Sequence, residues 1–172
     1  MPTYTQIGSA VTVGALGAAS IDFTSIPSTY TDLKIVVSPR SSAVASLEDM
    51  YIRFNGSTAS VYTSRNIRGN GASTSSASSS GTSVYVATIP ATTNTASTFS
   101  NVEIYIPNYT STTAKSFSVD MVQESNGTTA WSGLIAGLWN PAVQAAITSI
   151  SLFPDTNFSQ YSTAYLYGVS NA

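Results

Sequence analysis

An all-β chain, folded as an antiparallel β-sandwich of the jelly-roll kind, is what this sequence predicts. Three observations carry the prediction. Apolar and polar residues alternate through many short runs, the period of a half-buried strand. Turn-forming residues separate those runs at close spacing. Nothing beyond a single turn at NPAVQAA reads as helix. The 172 residues suit a single β-sandwich domain over 1–172, long enough to bury a real core.

The elements follow in order. Thr3 to Ile7 and Val11 to Val13 are the first candidate strands, and Ser20 to Phe23 follows the Gly-Ala-rich link GALGAA. After the turn-rich SIPSTYTD comes DLKIVVSPR, with Leu33, Ile35 and Val37 on one face. Pro39 closes that strand because it cannot donate to a ladder. Met50 to Phe54 alternates cleanly, and Asn55-Gly56 reads as a hairpin turn because both residues tolerate positive φ. Tyr62 to Arg68 is the expected returning strand. The segment 69–83, which opens GNGASTSSASSSG, has almost no side chain able to pack and reads as a mobile Gly/Ser-rich surface loop.

Val84 to Ile89 is the next strand, then FSNVEIYIP with Val102, Ile104 and Ile106 inward, then Lys115 to Glu124 with Phe117, Val119 and Met121 inward. Asn126-Gly127 is a second hairpin signal. Thr128 to Trp139, Ala146 to Phe153 and Thr163 to Val169 complete about nine to eleven strands, the number and spacing of a sandwich.

Composition narrows the function. Only 8% of residues are charged, against roughly 25% in an average soluble domain, and Ser and Thr supply about three residues in ten. So little charge gives weak mutual repulsion and favours association. The net charge is −2, and the basic residues Lys34, Arg40, Arg53, Arg65, Arg68 and Lys115 are scattered. Nucleic-acid binding needs a basic stripe and is not expected. No apolar run approaches the ~20 residues of a membrane helix, so no membrane partner is expected. MPTYTQIG lacks the basic and apolar regions of a signal peptide, which points to synthesis in a cytoplasm.

There is no histidine and no cysteine. This removes Ser-His and Cys-His nucleophiles, the usual zinc sites and the commonest general base. Glu103 and Asp120 could face each other on neighbouring strands, as a glycosidase pair must, but both alternate with core residues and are expected on the solvent face. Calcium at Glu48-Asp49 or near Asp155 lacks a loop of alternating acids. No enzymatic activity, metal or cofactor is expected.

TTAWSGLIAGLWN is apolar on both faces when read as a strand, with Trp131, Ile135 and Trp139 on one and Leu134 and Leu138 on the other. A strand in a free sandwich shows one face to water. A neighbouring identical subunit, in a homotrimer, or a long loop of the same chain is therefore expected to cover the second face. Trp131, Ile135, Trp139, Tyr105 and Tyr109 are the candidate subunit-interface residues, since Tyr and Trp supply large contact areas at low entropic cost.

The phrases FTSIPSTYTDLKIVV, YIRFNGS, TFSNVEIYIPNY, TTAWSGLIAGLWN and AYLYGVSNA together resemble a family of small β-sandwich virion structural proteins of tailed bacteriophages, especially phages of aquatic bacteria and cyanobacteria. The resemblance spans nearly the whole chain and implies a virion protein made in the host bacterial cytoplasm. Such subunits serve as capsid decoration (cement) proteins, contacting the major capsid protein and one another, or as tail-fibre and tail-tip adhesins that bind a receptor or glycan. A strand beginning almost at Thr3 leaves no shaft or anchoring segment ahead of it, which favours decoration of the head.

Overall fold

A computed structural model of the chain describes residues 1–127 and 129–170. Thr128, the expected start of one strand, lies outside the described residues, as do Asn171 and Ala172. Among the described residues there are thirteen strands and no helix.

The strands are β1 (Thr3–Gln6), β2 (Val11–Thr12), β3 (Ile21–Phe23), β4 (Asp32–Ser38), β5 (Leu47–Phe54), β6 (Tyr62–Gly69) and β7 (Thr74–Gly81). They continue as β8 (Val84–Pro90), β9 (Asn101–Ile106), β10 (Lys115–Gln123), β11 (Trp131–Trp139), β12 (Ile150–Pro154) and β13 (Thr163–Ser170). They form two antiparallel sheets. The larger has the order β1-β13-β4-β9-β10-β11-β6-β7, with β2 also on β13, making nine strands; the smaller is β3-β12-β5-β8. The arrangement is a two-sheet sandwich, compatible with a jelly roll.

Alternation decides which residues meet between the sheets. Leu33, Ile35, Val102, Ile104, Phe117, Val119 and Ile135 point inward from the large sheet; Ile21, Met50, Ile52, Phe54, Ile150 and Leu152 meet them from the small one. Phe54 is the hub at one end. Its ring lies edge-on to Phe117 at 5.3 Å and tilts against Trp139 at 5.7 Å. Tyr62 stacks on Trp139 at 6.4 Å, and its hydroxyl accepts the Phe54 amide at 3.0 Å. These rings fit because β11 carries glycines: a Cβ at Gly137 would collide with the Phe117 ring.

Three expectations need correction. The segment 69–83 is not a loop. Thr74–Gly81 is a strand paired with β6 over its whole length, from Gly69↔Thr74 to Tyr62↔Gly81. Its side chains are too small to supply burial, so the backbone ladder holds it. The turn at its start is built by Asn70, whose Oδ1 accepts the amides of Ala72 (3.0 Å) and Ser73 (2.8 Å), with Gly71 at φ 85°. Asn70-Gly71 is a hairpin signal that the reading of 69–83 as a loop passed over.

Asn55-Gly56 does turn the chain at positive φ (50° and 62°), yet it joins strands of different sheets. The Asn55 side chain explains the detour. Its Nδ2 donates to the Ala146 carbonyl (2.8 Å), and its Oδ1 accepts the Thr148 amide (2.8 Å). The same bonding removes the helical turn expected at NPAVQAA. The Ala145 and Ala146 carbonyls face Lys115 and Asn55 instead.

Two buried cations fix the longer connections, each through backbone carbonyls. Arg40 donates from Nη1 to Thr95 O (2.9 Å) and Thr98 O (2.8 Å), and from Nη2 to Ala91 O (2.7 Å). Lys115 Nζ donates to the carbonyls of Ser111 (2.7 Å), Thr113 (2.5 Å) and Ala145 (3.0 Å). Burial lowers the pKa of both groups. Arg40→Met is expected to destabilise the fold by about 3 kcal/mol, since it strands several carbonyls that a charge had satisfied. A chemical-denaturation midpoint measures this, and an unchanged midpoint refutes the clamp.

Candidate interaction surface

The inner face of the large sheet is core, so any site must be sought on its outer face and its ends. Residues paired directly across neighbouring strands share a face. One outer row therefore runs Ser76, Ile67, Leu134, Asp120, Glu103, Val36 and Tyr165. The next row runs Ser78, Arg65, Ala136, Ser118, Tyr105, Lys34 and Tyr167. No helix crosses this face among the described residues.

Its two halves differ. Around β4, β9 and β13 the face is rich in tyrosine. Tyr165 and Tyr167 stack at 6.5 Å, and Lys34 lies 5.8 Å from the exposed Tyr4 ring while pairing with Glu103 at 2.7 Å. The Tyr105 hydroxyl donates to Asp32 Oδ2 at 2.5 Å. That bond, then burial, pushes the phenol up to about 12.

Around β6, β7 and β11 the face is apolar and hydroxylic. Ile67 is 60% exposed and Leu134 56%, and they sit opposite each other in register. Two shallow grooves of about 650 and 760 Å³ run beside them, toward Ser76 and Ser78. Since each is a little over half exposed, leaving them in water forgoes about 1–2 kcal/mol apiece relative to burial. β7 is exposed on both faces, because the smaller sheet does not reach beneath it.

The expected interface residues distribute differently from the sequence reading. Ile135 (2% exposed) and Trp139 (3%) belong to the core of their own chain, and Tyr109 is fully buried with its hydroxyl donating to the Pro27 carbonyl. Trp131 is half-buried beneath the Arg68 guanidinium, 4.6 Å from its ring. Of the five, Tyr105 is the most exposed. The tryptophan side of β11 is thus its core face, and the aromatic cluster around Phe54 covers it. The face left bare is the opposite one, carrying Leu134. Sequence reasoning passed over Ile67 and Leu134 because the larger tryptophans drew the choice of face.

Glu103 and Asp120 do stand directly opposite each other, on the open outer face and not across a cleft. Glu48, Asp49 and Asp155 lie near one another in the fold. Glu48 accepts from the Ser41 and Thr156 hydroxyls, and Thr88 donates to Asp49 at 3.1 Å. Among the described residues no group of three or more His, Cys, Asp or Glu is placed to hold a metal ion, and no helix is long and apolar enough to cross a membrane.

Burial raises the Asp49 pKa above its ordinary 3.8, helped by the Asp155 and Glu48 charges and opposed by Thr88 and Arg68. A raised carboxyl binds its proton more tightly in the folded state. Its ionisation therefore costs stability at neutral pH, and the cost vanishes as pH falls below the unfolded value. Asp49→Asn is expected to raise the melting midpoint at neutral pH and to leave it unchanged near about pH 3. Equal effects at both pH values would sink this account.

Comparison with known proteins adds no relative: no family model, no curated protein and no solved structure matches the chain.

Proposed function

We propose that the protein is a non-enzymatic structural subunit of a bacteriophage virion, a capsid decoration protein that stabilises the head through contacts with the major capsid protein and with its own copies. The observation that carries this reading is the bare face of β6, β7 and β11. There an exposed apolar pair is set among serines on a sheet face that nothing among the described residues covers. A surface of that kind loses little on leaving water, because it holds few charges to desolvate. It suits burial between subunits. The family resemblance of the sequence supplies the setting, a virion assembled in a bacterial cytoplasm. The expectation of a trimer rested on β11 being apolar on both faces; its tryptophan side is core, and the face left to cover is the one with Leu134.

A second reading has an observation of its own. The outward tyrosines Tyr4, Tyr105, Tyr165 and Tyr167, beside the Lys34–Glu103 pair, offer flat rings and polar groups of the sort that bind sugars. That arrangement favours a tail adhesin. Reconstruction of the phage particle that encodes this chain separates the two. Density on the capsid lattice is expected; density confined to the tail would favour the adhesin, and absence from the particle would end both. A glycan array with the parent and with Tyr165→Ala/Tyr167→Ala tests the second reading directly. Saturable binding lost in the variant would support it.

A further inference from the structure

We propose that the outer face of β6, β7 and β11 binds a second copy of this chain, face to face, across a two-fold axis lying in the plane of contact. The inference deepens the reading of the protein as an assembly subunit and rests on that reading for its biological setting.

The first observation is the apolar pair. Ile67 and Leu134 face outward, mutually in register, beside two open grooves. Ser76, Ser78, Ser118 and Ser132 surround them, so the patch has no charge at its centre. With β10, which carries Asp120, the face has four strands; at ~4.8 Å spacing and seven or eight residues at ~3.4 Å it measures about 20 Å by 25 Å. That is about 500 Å² per partner and ~1,000 Å² in all, the lower bound for a specific interface.

The second observation is charge, and it selects the occupant. Five of the six basic side chains are engaged within the chain. Arg40 and Lys115 bind carbonyls, Lys34 pairs with Glu103, Arg53 lies over Phe153 and Arg68 over Trp131. Among the described residues Arg65 has neither an acid nor an aromatic partner, and its guanidinium bonds only the adjacent Ser64 carbonyl. Asp120 sits opposite Glu103. Lys34 neutralises Glu103 at 2.7 Å, whereas the Asp120 carboxylate makes no hydrogen bond or ion pair among the described residues. One free cation and one free anion thus flank the apolar pair.

Their placement is self-complementary. Arg65 lies on β6 two residues from Ile67, and Asp120 lies on β10 directly beside Leu134. With strands ~4.8 Å apart and same-face residues ~6.8 Å apart along a strand, the two Cα atoms are about 12 Å apart, their midpoint between Leu134 and Ala136. A two-fold axis through that midpoint exchanges the two sites. It sets each Arg65 over the other copy's Asp120 and lays Ile67 of one copy on Leu134 of the other. An isologous contact requires such self-matching, and the net charge of −2 offers little repulsion between copies.

Sedimentation equilibrium of the full chain, from about 1 μM to about 1 mM, tests the contact. The mass is expected to rise from one chain to two. Arg65→Asp and Asp120→Arg should each weaken association at least about tenfold, and combining them should restore it to within about threefold, since the swap recreates both pairs. Leu134→Ser should weaken association as well. Thermal melts confirm that each variant folds, and the reciprocal rescue cannot arise from misfolding. A parent that stays monomeric, a trimer, single variants that associate like the parent, or a double variant without rescue would each overturn the proposal. Particle reconstruction remains an independent measure. Absence from the particle with the dimer intact removes the assembly reading and leaves this contact; the reverse result removes the contact alone.

Discussion

The unequal width of the two sheets governs most of what this molecule presents to its surroundings. A sandwich is stable because each sheet hides the apolar face of the other, and here four strands must serve nine. The small sheet is spent on the middle of the large one, where Phe54, Ile52 and Met50 meet Phe117, Val119 and Met121. Nothing is left for the ends. β1 and β7 lie beyond the shelter and are exposed along their lengths but for Gly81 at the end of β7. The sequence accommodates this by using no large apolar residue along β7, so the overhang costs little hydrophobic energy. Its serines let the strand exist in water as hydrogen-bonded backbone with a hydroxyl coat.

Scarcity of charge runs through the same design. Basic side chains mostly do internal work, and the two buried ones are satisfied by carbonyls rather than by carboxylates. A carbonyl cluster around a guanidinium anchors a loop without needing an acid from elsewhere, so the long connection after β8 is held in a chain with few acids. Acids in turn take hydroxyl donors: Asp32 takes Tyr105, Glu48 takes Ser41 and Thr156, and Asp49 takes Thr88. Hydroxyl groups are the counterpart here that ion pairs are in more charged domains.

The sandwich class and most strands were legible because period-two alternation is a local signal; burial alternates throughout β9 and β10, and from Leu33 in β4 and Asp49 in β5 onward. β7 was illegible by the same criterion. Alternation reports burial, and a strand with nothing to bury leaves no trace except its turn, Asn70-Gly71. The assignment of strands to sheets was equally hidden. Asn55-Gly56 has the local chemistry of a hairpin, but its outcome depends on Ala146, Thr148 and Ser149, about ninety residues away. For the candidate surface, the sequence pointed to the tryptophan side of β11, whose Ile135 and Trp139 lie in the core. Both faces are apolar, and only the position of Phe54, Tyr62 and Phe117 decides that Trp139 turns inward.

β13 is thirteenth in chain order, yet it lies between β4 and β1, paired with the first strand from Thr3↔Ser170 to Gln6↔Tyr167 and with β4 from Thr163↔Ser38 to Val169↔Asp32. During translation both flanking strands must wait, edges open, until residue 170 has left the ribosome. Completion of this sheet therefore waits for β13. A nascent chain stalled before β13 displays an unfilled slot whose backbone groups are matched to an eight-residue strand. β13 is thus the keystone of the large sheet, joining a strand from the start of the chain to one about thirty residues further on.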